Sequence, residues 1–189
     1  MPLTGASDHG VSEAIYLDDP EGNGIEVYAD RPSETWGRDG TSILQKTDPL
    51  DIDSLLRAIG PSATAYDSAP SGLRIGHVHL RVGEIARAEA FYHHILGLDV
   101  TAHRPGAIFM STGGYHHHVA ANVWHSNGAG PRSSDRAGLG WVALEINEPA
   151  AMEALKARFA AAGIPISPSP AGFTASDPWG TQIRLAAAA

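Results

Sequence analysis

Two histidines separated by a single residue are the first feature of this chain that could do chemistry. His77 and His79 lie in the apolar sequence Ile75–Val82, which predicts a β-strand, and alternate side chains of a strand share one face. Val78 and Leu80 would face the other way, where a helix could pack. A histidine pair on one strand face fits a polar cavity that binds a metal ion. Taken alone, it fits better an open sheet whose histidines are hydrogen-bonded or exposed to solvent.

A group of three consecutive histidines begins a second sequence, 116–124, that also predicts a strand. Alternation places His118 on one face with Asn122 and Trp124, and it places His117 on the opposite, more apolar face. We therefore expect His118 to be the functional histidine of the three, on the same polar face as the first pair. A loose metal-binding tract of consecutive histidines is the alternative.

Glu26 adds a carboxylate to these imidazoles. It lies in a predicted strand, Gly24–Tyr28, and it points away from Ile25 and Val27. A lone glutamate on a strand usually faces solvent. Two neutral imidazoles and one carboxylate on adjacent strands, however, form the facial triad of non-haem iron(II) oxygenases, which leaves one side of the metal open. This partnership makes Glu26 a candidate metal ligand together with two of the histidines on the predicted strands.

The elements that would position these residues form two related units of β-α-β-β-β order in residues 74–189. The predicted helices end before Gly97 and Gly163, which are 66 residues apart (163 − 97), so the two units are nearly in phase. The first unit is predicted as strand Ile75–Val82, helix Glu84–Leu96, and strands Asp99–His103, Ala107–Ser111 and His116–Trp124. The second unit is predicted as strand Gly140–Ile146, helix Pro149–Ala162, and strands Gly172–Ser176 and Gln182–Ala186.

The N-terminal residues match the end of such a unit. Strands predicted over Glu13–Leu17 and Gly24–Tyr28 form a hairpin, and the sequence DPEGNGIEV within it parallels DPWGTQIRL near the C-terminus. The predicted parts are a hairpin of an incomplete module (1–30), a linker with one short helix, Asp51–Ile59 (31–73), and two modules (74–128 and 137–189). The predicted fold class is α+β, with tandem βαβββ modules that form a curved mixed sheet and with an incomplete N-terminal module.

The composition excludes several classes of function. Thirteen basic against twenty-one acidic residues give a net charge of −8, which argues against a nucleic-acid surface and an anionic membrane surface as partners. The absence of cysteine excludes thiolate zinc sites, iron–sulfur clusters, disulfides and a cysteine nucleophile. No signal peptide and no membrane-spanning apolar stretch is visible, so we expect a cytoplasmic protein.

Three segments resemble the vicinal oxygen chelate superfamily, which includes glyoxalase I, bleomycin-resistance proteins and type I extradiol dioxygenases. They are DHGVSEAIYLDDPEGNGIEVYADRP (Asp8 to Pro32), IGHVHLRV (Ile75 to Val82) and GGYHHHVAANVW (Gly113 to Trp124). Within this group the chain is most similar to bacterial catechol 2,3-dioxygenases built from four βαβββ repeats, of which it would hold the last two and a half. The resemblance implies the vicinal oxygen chelate fold and a metal cofactor, Fe²⁺ or Mn²⁺. It also implies an enzyme that cleaves the ring of a small aromatic, catechol-type substrate with O₂.

The resemblance further implies roles for individual residues. His77 and Glu26 match two of the three metal ligands, and His118 matches the acid–base histidine of the family. His9 and Tyr16 match a histidine and a tyrosine that hydrogen-bond the substrate or its oxygenated intermediate. The substrate cup would be lined by His79, Asn122 and Trp124.

The third metal ligand of the family has no counterpart in this chain. The resemblance places it upstream of Met1, and the last module has Trp141 and Arg184 where a histidine and a glutamate would fall. A fragment or a late start codon, a ligand from a second copy (His79 or His116), or lost activity would each explain this. We favour the first, because a module cut after its helix leaves an unpaired sheet edge. The same edge makes us expect a homo-oligomer.

Other functions fit the same fold. One is a glyoxalase-like isomerase or thiol transferase, against which Arg184 counts, since it stands where those sites often have a second glutamate. Another is a non-catalytic protein that binds an aromatic ligand or drug in the cup. The remaining interpretation is a truncated, inactive product that folds only as an oligomer. Metal content and catechol turnover would separate these alternatives.

Overall fold

The computed structural model describes residues 1–59 and 68–188, and the chain divides into two compact units, Met1–Gly76 and His77–Ala189. The first unit has strands β1 (Leu3–Asp8), β2 (Ser12–Asp18), β3 (Gly24–Asp30), β4 (Arg38–Asp39) and β5 (Ser42–Ile43), and helix α1 (Ile52–Ile59). The strands of the second unit are β6 (Val78–Arg81), β7 (Asp99–Arg104), β8 (Ala107–Ser111), β9 (Val119–Asn122), β10 (Trp141–Ile146), β11 (Ser167–Ser169), β12 (Gly172–Ser176) and β13 (Gln182–Ala187). Its helices are α2 (Ile85–Glu89), which continues as a π-helical segment (Ala90–Ile95), and α3 (Pro149–Ala161). The α+β fold class is confirmed.

The sheet of the first unit is antiparallel, in the order β1-β2-β3. The turn between β2 and β3 is closed by the side chain of Asp19, which accepts hydrogen bonds of 2.8 Å from the backbone N–H groups of Glu21 and Asn23. This turn fixes the register of the hairpin, so that Tyr16 lies directly opposite Glu26. The predicted hairpin is confirmed, and β1 adds a third strand that the sequence pattern did not indicate.

The predicted linker, 31–73, is described in part, since residues 60–67 lie outside the described residues. Its helix is confirmed as α1, all of whose residues are at least partly exposed. The segment before α1 returns to the sheet, because Asp8 and Asp48 exchange two backbone hydrogen bonds of 2.9 and 3.0 Å. Trp36 is buried, and its indole N–H donates to the carbonyl of Arg31 at 2.9 Å. Much of the predicted linker is therefore ordered against the N-terminal sheet.

The second unit contains two βαβββ modules, which confirms the predicted tandem arrangement. Their sheets have the matching orders β6-β9-β8-β7 and β10-β13-β12-β11. In each sheet the first and last strands of the module are parallel, with Val78 opposite Val119 and Val142 opposite Ile183. The other strand pairs are antiparallel. The helix of each module ends at a glycine with positive φ, Gly97 (88°) or Gly163 (65°), a backbone conformation that glycine adopts without strain.

One hydrophobic core joins the helices of the two modules. The ring of Phe159 on α3 makes edge-to-face contacts with Phe91 and Phe173, at centroid distances of 5.9 and 5.5 Å, a favoured arrangement of aromatic pairs. Tyr92 is completely buried and donates a hydrogen bond of 2.9 Å to the carboxylate of Asp177. The two modules thus depend on each other for burial of their apolar faces. In the part of the chain that the structure describes, no helix has the length and apolarity to cross a membrane.

Candidate functional site

His79 lies within β6, on the sheet face that points away from the helices, and His77 immediately precedes this strand, which is shorter than the predicted Ile75–Val82. His79 is opposite Ala120 in the β6–β9 register, and its ring lies 5.9 Å from that of Phe109. Ala120, Phe109 and Ala107 form a small buried apolar cluster on this face. The pair therefore lies at the edge of an apolar surface, with His77 half-buried and His79 exposed.

The three consecutive histidines do not belong to a strand, which corrects the prediction of a strand over His116–Trp124. Strand β9 begins at Val119, and residues 116–118 form a connection after Gly113 and Gly114, whose φ angles are 66° and 71°. Because the connection is not extended, alternation does not assign faces to its side chains. His117, which the pattern had placed on the opposite face, is the histidine that lies beside His77 and His79. The two consecutive glycines were the signal in the sequence that could have revealed this.

His77, His79 and His117 form the candidate metal centre, which we call the three-histidine group. One ligand nitrogen from each ring lies within 4.8 Å of the others, and the Nε2 atoms of His79 and His117 are 3.1 Å apart. The His117 ring lies 4.2 Å from that of His77 and 5.1 Å from that of His79. Within residues 1–59 and 68–188, no other set of three histidine or acidic side chains is this close.

The side chain of His117 is held by a second histidine. The Nδ1 atoms of His116 and His117 are 2.8 Å apart, and both residues are buried. The backbone of His116 is fixed in turn, since the hydroxyl of Thr101 donates to its carbonyl at 2.6 Å. Burial, and then the neighbouring His77, His79, His116 and His118, hold the pKa of His117 far below its usual range. His117 is therefore a neutral imidazole, the form that binds metal ions.

The other residues predicted for the cup take different positions. His118 is half-buried, its ring stacks on Tyr115 at 4.9 Å, and its Nδ1 accepts a hydrogen bond of 3.3 Å from the backbone N–H of Thr112. Burial, and then the nearby His77, lower the pKa of His118. Asn122 is buried at the end of β9. Trp124 lies beyond the strand with its side chain largely exposed, and its indole N–H donates to the carbonyl of Pro105 at 3.2 Å.

In the first unit, three of the predicted site residues form a hydrogen-bonded chain. The Nε2 of His9 lies 2.6 Å from the hydroxyl of Tyr16, which donates to Glu26 at 2.8 Å. The Nδ1 of His9 donates to the carbonyl of Lys46 at 2.8 Å, because a carbonyl can only accept. Burial, and then the Glu26 carboxylate, raise the pKa of Tyr16 well above its usual range, so its hydroxyl stays protonated at neutral pH.

The His9–Tyr16–Glu26 chain is a continuous run of two hydrogen bonds that meet at one hydroxyl group. The single hydroxyl proton of Tyr16 lies between two acceptors, a ring nitrogen and a carboxylate. The predicted roles of these residues as ligand (Glu26) and substrate contacts (His9 and Tyr16) remain predictions, as does the pairing of Glu26 with His77 on one metal ion.

On the corresponding face of the last module, within the residues that the structure describes, no group of three histidine or acidic side chains is close enough to share a metal ion. Trp141 is half-exposed, and the guanidinium of Arg184 lies over its ring at 3.9 Å. The family resemblance places these two residues where a histidine and a glutamate would fall. A cation–π pair therefore occupies this face, and both side chains are engaged with each other.

Comparison with known proteins relates most of the chain to one family. Residues 74–185 match the family model described as "Glyoxalase/Bleomycin resistance protein/Dioxygenase superfamily". The chain is 39% identical over 177 residues to a Bacillus subtilis (strain 168) protein named catechol-2,3-dioxygenase, a match that covers 92% of this chain and 61% of the relative. The chain thus spans less than two thirds of that protein.

Solved structures of low identity share the fold. A glyoxalase/dioxygenase from Nostoc punctiforme is 17% identical, with a TM-score of 0.52, and the match covers 67% of this chain and 99% of that one. A glyoxylase/bleomycin resistance protein/dioxygenase domain from Frankia sp. EAN1pec is 20% identical, with a TM-score of 0.50, over 64% of this chain and 100% of that one. Given the family match over the two βαβββ modules and the relative that aligns with nearly all of the sequence, the chain belongs to the glyoxalase/bleomycin resistance protein/dioxygenase superfamily.

Proposed function

We propose that this chain carries out metal-dependent cleavage of the ring of a catechol-type substrate by dioxygen. The observation that carries the proposal is the three-histidine group, which lies in a chain 39% identical to a protein named catechol-2,3-dioxygenase. The chain covers only 61% of that relative. The activity and the substrate are therefore proposed from the residues of this chain, and the name of the relative alone does not establish them. Self-association and a cytoplasmic location remain predictions beside this proposal.

The side chains of the first module fit a divalent metal ion. Neutral imidazoles are ligands for iron(II) and related ions, and the low pKa of His117 keeps its ring neutral. The ion that we propose is Fe²⁺ or Mn²⁺, with His77 among its ligands. When bound, it would lower the pKa of a coordinated substrate hydroxyl and so favour the catecholate at neutral pH.

The apolar cluster below the histidines suits an aromatic substrate. Ala107, Phe109 and Ala120 are all buried on the face that carries His79, so a ring placed there is shielded from water on one side. Exclusion of water strengthens the electrostatic interactions of the charged oxygens of the substrate. The proposal thus places the apolar edge of the catechol towards Phe109 and its oxygens towards the histidines.

His118 is the residue that we propose as the acid–base catalyst. Its Nδ1 accepts the backbone N–H of Thr112, which leaves Nε2 as the ring nitrogen that can exchange a proton with a substrate hydroxyl. Because burial and His77 lower its pKa, the ring is neutral and able to accept that proton. Transfer of one proton in this way typically contributes 10²–10⁴-fold to a rate.

The His9–Tyr16–Glu26 chain is proposed as a second proton-handling group of the enzyme. Its hydrogen bonds of 2.6 and 2.8 Å are short enough for transfer along the chain. The predicted roles of Tyr16 and His9, to hydrogen-bond the substrate or its oxygenated intermediate, remain proposals beside this one.

Catechol turnover tests the proposal. The overall reaction adds both oxygen atoms of O₂ to the ring-opened product, so one O₂ should be consumed for each catechol cleaved and no external reductant should be needed. The experiment loads the full chain with Fe²⁺ under anaerobic conditions, admits oxygen, and follows O₂ uptake and the absorbance of the ring-opened product together. Absence of both signals from metal-loaded protein would refute the proposed function.

The role of His118 is tested by the variant His118→Gln. We expect its turnover to fall by about 10²–10⁴-fold, the contribution typical of a general acid–base group, with unchanged metal content. His125→Gln is the matched control, since His125 is an exposed histidine of the same module. If His118→Gln instead loses the metal, His118 is a ligand and its proposed role is wrong.

A further inference from the structure

We propose that His77, His79 and His117 form an all-imidazole binding site for one divalent transition-metal ion, complete within the second unit and without Glu26. The donor set therefore differs from the two-histidine, one-carboxylate set that the sequence predicted. Only the catalytic role of the metal ion depends on the proposed function. The binding site itself is argued from the geometry of the second unit.

The spacing of the three rings is close to that of ligands on one ion. Zinc–nitrogen and similar bonds to histidine are about 2.0–2.1 Å long, so two ligand nitrogens on one ion are at most about 4.2 Å apart. The Nε2 atoms of His79 and His117 meet this limit at 3.1 Å. The longest separation in the group is 4.8 Å at most, which exceeds the limit by about 0.6 Å (4.8 − 4.2). A small side-chain rotation would remove that excess.

His116 directs the ring of His117 towards this site. The contact of 2.8 Å between their Nδ1 atoms needs one proton, which one ring donates and the other accepts. When His117 is the donor, its only lone pair is on Nε2, the atom that faces His79. Metal-binding histidines commonly use their other ring nitrogen in this way, which fixes both tautomer and orientation. His116 is therefore a positioning residue for the ligand His117.

The backbone holds the ligands in place from two elements. His79 lies within β6, and the N–H of Val78 donates to the carbonyl of His118 at 3.0 Å, which joins β6 to the connection that carries His117. The N–H of His118 donates to the carbonyl of Met110 at 2.9 Å. His79 on β6 and His117 on the connection therefore cannot move apart without the loss of these hydrogen bonds.

The chemistry of the donor set defines what the site would take. Imidazole nitrogens suit Zn²⁺, Cu²⁺, Fe²⁺ and Ni²⁺, whereas Mg²⁺, Ca²⁺ and Mn²⁺ prefer oxygen, so of the two ions proposed above this donor set favours Fe²⁺. Three neutral rings leave the full charge of the ion uncompensated. The open coordination positions would therefore favour an anion, such as a catecholate or a carboxylate, over a neutral ligand.

Titration of the metal-free full chain with Co²⁺ tests the inference, with binding followed by visible absorbance and by calorimetry. We expect one ion per chain for the unaltered protein. His79→Ala and His117→Ala should each weaken binding by about 100-fold or more, since loss of an outer hydrogen-bond partner alone typically costs 10–100-fold. Glu26→Gln and His125→Ala should stay within about threefold, because neither residue is a ligand in this site.

The variants separate the possible donor sets. The side chain of His79 is exposed, so its removal should leave folding intact, which circular dichroism of the metal-free variant checks. The inference is overturned if His79→Ala binds Co²⁺ as tightly as the unaltered chain, or if Glu26→Gln weakens binding as much as His79→Ala does. If the metal-binding results follow the expected pattern but the metal-loaded chain does not cleave catechol, the proposed function is refuted and the metal-binding site is still supported.

Discussion

The two βαβββ modules of the second unit share a backbone plan but differ in what their open sheet faces carry. Their parallel strand pairs have the same register, with Val78 opposite Val119 in one and Val142 opposite Ile183 in the other. When Val78 is aligned with Val142, and Val119 with Ile183, each position of one module has a counterpart in the other. Trp141, Ala143 and Thr181 then stand where the first module has its three-histidine group, His77, His79 and His117.

The helix-facing positions, in contrast, are alike in the two modules. Leu80 and Leu144 correspond, and both contribute to the single core that joins the helices. One face of each strand is thus constrained by packing, while the opposite face is free to carry histidines in one module and a Trp141–Arg184 pair in the other. Substitutions on the helix-facing side of each sheet should therefore change the stability of the protein. Substitutions on the open side should change metal binding or activity and have little effect on stability.

The largest effect is expected where the core is shared. Phe159 is completely buried between the modules, and Phe159→Ala should reduce the free energy of unfolding by about 3–5 kcal/mol, the usual cost of an aromatic-to-alanine change in a core. Urea unfolding followed by circular dichroism measures this loss. Glu153→Ala on the exposed side of the same helix is the control, with an expected loss below about 1 kcal/mol. Separate unfolding transitions for the two modules would contradict the single shared core.

A smaller effect is expected at the buried hydrogen bond between the modules. Tyr92→Phe removes the hydroxyl that donates to Asp177 and should cost about 1–3 kcal/mol, because a buried carboxylate oxygen loses its partner. The N–H groups of Trp179 and Thr181 still donate to the other oxygen of that carboxylate. Thermal unfolding at neutral pH measures the loss, and an unchanged melting temperature would show that the contact contributes nothing.

The same hydroxyl makes stability depend on pH at the alkaline end. Burial, and then the Asp177 carboxylate, raise the pKa of Tyr92 well above its usual value. A raised folded-state pKa contributes stability that is complete below the unfolded-state pKa of about 10 and is lost as pH rises through the folded-state value. Tyr92→Phe should therefore show a weaker loss of stability above pH 10 than the unaltered chain. An identical alkaline profile for the two would show that Tyr92 does not titrate with unfolding.

The sequence was sufficient to predict the modules and insufficient to predict the site in full. Apolar periodicity and the glycines after each helix predict the elements well, because packing on one face repeats in both modules. The three-histidine group includes His117, which strand alternation had assigned to the opposite face. That assignment was wrong because the residues after Gly113 and Gly114 are not in an extended conformation. Side-chain direction in such a connection is set by tertiary contacts, here with His116 and Thr101, that no local pattern encodes.

The smallest effect is expected on the open face of the last module. Trp141 is half-exposed, and its contact with Arg184 at 3.9 Å should be worth about 0.5–1 kcal/mol, the range for an exposed cation–π pair. Trp141→Ala should therefore lower stability by little and leave Co²⁺ binding unchanged, since the ligands lie in the other module. A double-mutant cycle with Arg184→Ala isolates the pair energy. If Trp141→Ala weakened Co²⁺ binding by more than about threefold, the open faces of the two modules would not be independent. Metal binding by the first module would then depend on residues of the last module, contrary to the comparison above.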